Sequence, residues 1–238
     1  MMETLVKNWT PRLPMAAVSL VGQFVRTDPL DFSKDVPLLW NALGGNDGTI
    51  NERLQWYGLA DMLTEDDLAQ TLKTIELQGP GTASCVNIFR LVPSNQVVGM
   101  SSYINTRADH GTTEVGYVAH GPAMMRTPAA TEAHYLLAQH AFDTMGYRRY
   151  EWKCNSHNEP SKKAALRYGF SYEGCFRQHS VTAKGMNRDT SWFSMLDSEW
   201  LSRKKAMEAW LQPSNFDESG NQKQRLENFQ DWEKEEAL

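Results

Sequence analysis

From Asn155 to Arg177 the chain reads Asn-Ser-His-Asn-Glu-Pro-Ser-Lys-Lys-Ala-Ala-Leu-Arg-Tyr-Gly-Phe-Ser-Tyr-Glu-Gly-Cys-Phe-Arg. The pattern predicts an apolar strand over Tyr150–Cys154, then a helix that stops at Gly169. Asn158 and Ser161 fall near the start of that helix, where first-turn N–H groups have no partner within the helix. A strand handing over to a polar helix N-terminus can hold a small polar group close to a sheet. Metal chemistry is not expected: His110, His120, His134, His140 and His157 show no ligand spacing. Cys85, Cys154 and Cys175 lie singly in strand patterns. Such an odd, scattered set fits buried thiols in a reducing compartment.

The elements that must position these residues come from a chain of 238 residues, 41% hydrophobic, with eight Trp and eight Tyr. That is enough for one globular domain with a packed aromatic core. A net charge of −5 and a pI near 5.7 argue against a general nucleic-acid binder, which needs a basic stripe. No apolar run approaches membrane-spanning length, and the N-terminus lacks a basic stretch followed by an apolar core. A cytoplasmic protein with no membrane partner is expected.

Residues 1–17 read as an arm and Ala17–Arg26 as a first strand, broken by Thr27-Asp28-Pro29. A short helix is expected over Asp35–Leu43, then a Gly-rich loop to Asn51. Thr64 suits the N-cap of a helix running to about Gln78 and stopping at Gly79-Pro80, its acids near the positive end. Strands follow at Cys85–Val92, Gln96–Asn105 and Thr112–His120, the first two split by Pro93-Ser94-Asn95. Thr127 and Pro128 begin a helix that reaches Met145. After the helix over 159–168 come a strand from Ser171 to about Ala183 and a hairpin partner over Thr190–Leu196. Residues 198–211 read as a helix capped by Ser198, and residues 221–237 as an amphipathic helix bearing Leu226, Phe229 and Trp232. The passage 112–154 implies one parallel pair inside a largely antiparallel sheet.

Several pieces in this order carry a family resemblance: Thr113-Glu114-Val115-Gly116-Tyr117, Ala130-Thr131-Glu132-Ala133, Asn155-x-x-Asn158-x-x-Ser161, Gly169-Phe170, Glu173-Gly174 and Arg188-Asp189-Thr190. Over residues 18–200 the chain resembles the Gcn5-related N-acetyltransferases (GNAT), of the RimJ/RimL type that acetylates ribosomal-protein N-termini. The resemblance implies an α/β (α+β) fold. Its mixed, mostly antiparallel sheet is flanked by helices and has splayed central strands, with a C-terminal helical extension here over 201–238. It implies acetyl-CoA as donor and an amine as acceptor, either a protein N-terminus or a small molecule, with no metal. The two tail helices leave a homodimer open.

The resemblance also distributes roles. The diphosphate of acetyl-CoA would meet Arg126, Thr127, Ala129, Ala130 and Thr131 at a helix N-terminus. The family's Gln/Arg and first Gly positions are Met125 and Pro128 here, and Pro128 has no N–H to donate. The backbone of Tyr117, Val118 and Ala119 would pair with the pantetheine arm, the Val118 N–H facing the acetyl carbonyl as an oxyanion donor. Asn155 and Asn158 would lie along the cofactor, although an N-cap explains Asn158 equally well. A Tyr donor common in the superfamily is Ala165 here, which leaves Ser161 to protonate the CoA sulfur or simply to cap its helix.

Glu114 is the leading general base; the plain alternative is a structural Glu paired with Arg107. His179 is a second candidate base, or shapes the acceptor pocket, because the carboxylate expected one position later is Ser180. Arg188 and Asp189 are expected to brace the hairpin as a charged pair, and Lys163 and Arg167 to be either CoA contacts or exposed helix charges. Trp40, Trp56 and Tyr57 read as core or as an aromatic wall to the acceptor. The rival reading is a non-catalytic acyl-CoA-binding sensor.

Overall fold

The computed structural model describes residues 6–7, 9–77 and 85–230. One eight-stranded sheet organises them. Its strands are β1 (Leu20–Val21), β2 (Val25–Pro29), β3 (Cys85–Leu91), β4 (Val97–Arg107), β5 (Thr112–His120), β6 (Arg149–Asn155), β7 (Ser171–Val181) and β8 (Asn187–Leu196). Their spatial order is β1-β2-β3-β4-β5-β6-β8-β7. Every neighbouring pair is antiparallel except β5 and β6.

Helices cover both faces. Helices α1 (Phe32–Ala42), α2 (Ile50–Leu54) and α3 (Glu65–Glu76) enclose one core with Val86, Ile88 and Met100. Helices α4 (Pro128–Gln139), α5 (Glu159–Arg167) and α6 (Asp197–Trp210) enclose the other with Tyr103, Tyr150, Trp152 and Phe193. The period-2 rule is plainest in β6, where Tyr150, Trp152 and Cys154 are buried while Arg149, Glu151 and Lys153 point to the other face.

Local chemistry explains most boundaries. The Thr64 hydroxyl accepts the Asp67 N–H and the Asp67 carboxylate accepts the Thr64 N–H, a reciprocal cap for α3. The stop expected at Gly79-Pro80 lies outside the described residues. Helix α1 starts earlier than expected because Asp31 accepts from the Ser33 and Lys34 N–H groups. The first strand is instead a tight hairpin, with Gly22 N–H bonded to the Val25 carbonyl, and Thr27-Asp28-Pro29 continues its second strand. Part of the stretch read as loop forms α2.

Glu132 of α4 holds that hairpin. Its carboxylate accepts the Gln23, Phe24 and Val25 N–H groups at 2.7, 2.6 and 2.8 Å. A Cβ at Gly22 would stand 2.3 Å from this carboxyl, so a side chain there would push the carboxylate off its three donors.

Ser198 does not cap α6; Glu199 reaches back to the Leu196 N–H instead. Residues 221–230 are not a continuous helix either. A 3₁₀ turn over Leu226–Phe229 sets Leu226 into the core beside Trp210, while Phe216 bridges to Gln222. Trp232 lies outside the described residues. Among the described residues, no helix is long and apolar enough to cross a membrane.

Glu132→Ala would leave three backbone donors without their acceptor, at about 1–3 kcal/mol each where water cannot replace it. Denaturant unfolding is expected to show a loss of roughly 3 kcal/mol or more. A loss below about 1 kcal/mol would mean that the hairpin does not depend on this carboxylate.

Candidate active site

Strands β5 and β6 pair only from Thr112 with Arg149 to Val115 with Trp152. Beyond that, β6 continues against β8 alone as far as Asn155, and β5 runs on to His120 against β4. The two central strands therefore part after Val115. A β-bulge sits at the divergence: Gly116 faces Ser102 and Ala119 faces Met100, so two residues of β5 oppose one of β4. Tyr117, in the bulge, has φ +49°, a left-handed conformation disfavoured for a side chain of this size.

A cavity of about 390 Å³ fills the wedge between the strands. Val118, Trp152, Asn158 and Ser161 line it, together with Tyr57, His120 and His134. The Asn158 side chain accepts the Ser161 N–H at 3.2 Å and so caps α5. The Ser161 oxygen accepts from Trp152 Nε1 at 3.0 Å, and its hydroxyl also meets the Cys154 side chain. The Tyr57 hydroxyl donates to the Val118 carbonyl oxygen. Burial pushes His120 down to about 4 and His134 well below the usual histidine range. Both ring nitrogens of His134 are buried without a hydrogen-bond partner. A neutral imidazole thus faces the wedge with its polar atoms unspent.

At the head of α4 a second cavity, about 560 Å³, is lined by Arg126, Thr127, Pro128, Ala130, Thr131 and Arg167. Thr127 occupies the N-cap position, yet its hydroxyl donates to the Met124 carbonyl and no side chain caps the helix. The Ala130 N–H meets the Thr127 carbonyl at 3.2 Å, and the helix end otherwise stands without a side-chain cap beside two guanidinium groups, an arrangement suited to an anion. Arg167 donates to Thr131 Oγ1 at 2.9 Å and lies 5.0 Å from the centre of the Trp210 ring. Lys163 is exposed. Phe216 and Gly220–Gln222 of the C-terminal segment complete the wall.

A third cavity, about 280 Å³, is lined by Glu114, Tyr117, Lys153, His179, Arg188 and Thr190 among others. Glu114 is buried and accepts from Lys153 Nζ at 2.6 Å and Asn105 Nδ2 at 2.7 Å; its cation is Lys153 and not Arg107. Burial raises its pKa, with Lys153 and Asn105 acting in the opposite direction. Lys153 also meets Glu151 at 2.8 Å and lies 4.0 Å from the centre of the Trp192 ring. His179 Nδ1 and Thr190 Oγ1 share a hydrogen bond of 3.0 Å. Arg188 does not pair with Asp189, whose carboxylate takes the Gln178 N–H and the Asn187 side chain. Tyr57 lines both this cavity and the wedge.

Sequence reasoning missed Lys153, the unpartnered His134 and the Tyr57 contact. Asn155 lines none of these cavities; its side chain accepts the His157 N–H in the turn before α5. Trp40 is buried against α1–α3 and donates to Asn46. Among the described residues no group of three or more His, Cys, Asp or Glu side chains is placed to hold a metal ion.

Residues 33–171 match the family model described as an acetyltransferase (GNAT) domain, more than half of the chain. The chain belongs to the GNAT acetyltransferase family. The acetyltransferase is 39% identical to the crystal structure of a GCN5-related N-acetyltransferase from Brucella melitensis. That match covers 94% of this chain and 99% of the other, with a TM-score of 0.86. It is 27% identical over 142 residues to the uncharacterized N-acetyltransferase p20 of Bacillus licheniformis, covering 59% of this chain and 76% of that protein. It is 26% identical over 141 residues to the ribosomal-protein-serine acetyltransferase of Escherichia coli (strain K12), covering 59% and 75%. Its activity is acetyl transfer to an amine, and membership of the family implies acetyl-CoA as the donor.

Two effects oppose each other at Glu114: burial holds the proton on and Lys153 drives it off. Lys153→Met removes the second, so the carboxyl should titrate higher still. The check is the side-chain ¹³C shift of Glu114 against pH, assigned with Glu114→Gln. An unmoved midpoint in Lys153→Met would show that this ion pair does not set the proton affinity.

Proposed function

We propose that acetyl-CoA lies in the wedge, that its diphosphate rests at the head of α4, and that the Glu114 cavity receives the amine. The observation that carries this reading is the parting of β5 and β6 after Val115, with Val118 and Ser161 lining the gap. The residues present fit the donor. The β5–β6 ladder ends at Val115, and the backbone of Tyr117, Val118 and Ala119 beyond it would pair with the pantetheine amides as a strand would. The head of α4, which no side chain caps, suits a diphosphate with Arg126 and Arg167 beside it, even though Pro128 contributes no donor and the Ala130 N–H already meets the Thr127 carbonyl at 3.2 Å.

When bound, the thioester supplies an activated acyl carbon. The chain provides the rest. Glu114, as carboxylate, accepts the proton that the amine must lose. Val118 offers its N–H to the oxygen on which charge develops. Ser161 stands ready to protonate the leaving sulfur, and Asn158 and Trp152 hold it in place. A carbon–nitrogen bond forms as the carbon–sulfur bond breaks. The proton lost by the neutral amine balances the one the sulfur gains, so no residue is consumed. Glu114 is preferred to His179 as base because it lies on β5, the strand that carries the Tyr117–Val118 bulge.

Glu114→Gln is expected to lower kcat/KM at least about tenfold while calorimetry shows CoA affinity retained. Intact turnover would remove Glu114 from the role. Ser161→Ala is expected to lower kcat more than it changes the KM for acetyl-CoA, measured by thiol release. A change confined to KM would make Ser161 a binding residue only.

A further inference from the structure

Three cations face the same part of the sheet, and two are neutralised. Arg149 pairs with Glu151 and Glu173 at 2.6 Å each, and Lys153 pairs with Glu114 and Glu151. Arg188 is different. Its Nε donates to Thr190 Oγ1 at 3.3 Å and its Nη1 to the Trp56 carbonyl at 3.1 Å. No carboxylate among the described residues pairs with it, and it lines the Glu114 cavity. These two neutral acceptors fix the guanidinium in orientation and leave its charge unmatched. The cavity is therefore dipolar, with a carboxyl at Glu114 and an unmatched cation at Arg188.

One wall of the same cavity is tied down. The hairpin end of β7 and β8 is tied to the segment after α2: the Ala183 N–H donates to the Gly58 carbonyl at 2.9 Å, and Lys184 pairs with Asp61. A Cβ on Gly58 would already touch Thr182 at 3.3 Å. Gly58, Val181 and Thr182 at this bridge form one wall of the cavity. About 280 Å³ remains, room for a small molecule.

We infer that the acceptor is a small amine bearing its own carboxylate, an amino acid, with the carboxylate on Arg188 and the amine toward Glu114. The inference rests on the acceptor reading of this cavity given above. A zwitterion matches both ends of the cavity at once, and the guanidinium fork recognises a carboxylate where a neutral amide offers a weaker partner.

The test uses acceptors that differ only at that group: a panel of L-amino acids, their carboxamides, and short peptides with free N-termini. Amidation lowers the amine's own pKa and so favours the amide chemically, which means that a preference for the acid reports recognition. The wild-type enzyme is expected to favour the acids by about tenfold or more in kcat/KM. Arg188→Gln should bring the ratio near one, and Arg188→Lys should restore part of it. Equal rates for acid and amide, a preference that survives Arg188→Gln, or peptides outrunning amino acids would each overturn the inference while leaving acetyl transfer intact.

Calorimetry with CoA and with N-acetyl amino acids and their amides separates the two readings. Arg188-dependent affinity for the N-acetyl acids without turnover of any amine would uphold the anion site against the catalytic roles. Equal affinity for the N-acetyl acids and their amides would overturn the anion site, whatever CoA does. Thermal melts of each variant exclude a folding defect.

Discussion

Everything at this site depends on two central strands ceasing to pair after four residues. A backbone N–H or C=O in a protein interior needs a partner. Past Val115, strand β6 finds its partners on β8, and strand β5 keeps β4 on one side and a gap on the other. The bulge at Tyr117 helps to hold the gap. Its left-handed conformation costs roughly 1–2 kcal/mol, a strain that the two cores on either side of the sheet can sustain. What remains is an edge of backbone inside the molecule. One of its carbonyls, at Val118, meanwhile takes the Tyr57 hydroxyl.

The charges beneath the gap form a line that alternates in sign: Glu173, Arg149, Glu151, Lys153, Glu114. Position along the line decides which effect wins. Burial opposes ionisation of Glu151, but Arg149 and Lys153 together hold it below the usual glutamate range. Glu114 sits at the end, more deeply buried and sharing a single cation, so burial prevails and its pKa rises. A carboxyl of that kind gains proton affinity without losing its place beside a cation, which fits the proposed role of base.

The repeating patterns were legible in the sequence. Alternation located β3 to β8, and the Thr64, Asn158 and Pro128 signals located three helix starts, because each depends on neighbours a few residues away. The hairpin at Gly22 was not legible, since its partner is a carboxylate more than a hundred residues later. The bulge also escaped notice: Tyr117 carries no sign of a left-handed conformation, and the glycine that might have signalled one stands one position earlier. At the site, Glu114, Val118, Ser161 and His179 were picked out and do line cavities. The pairing of Glu114 with Lys153 needed the parallel register of β5 and β6, which no local pattern encodes. The tail read as one long helix because Leu226 and Phe229 have helical spacing, whereas packing against Trp210 favours a short turn.

The cavity at the head of α4 takes part of its wall from Trp210, Phe216 and Gly220–Gln222, nearly a hundred residues downstream of the N–H groups it encloses. A chain emerging from the ribosome builds its sheet first and meets these residues late. Closure of this cavity is therefore a late event of assembly: a nascent chain can have its strands in order while the pocket still stands open to solvent.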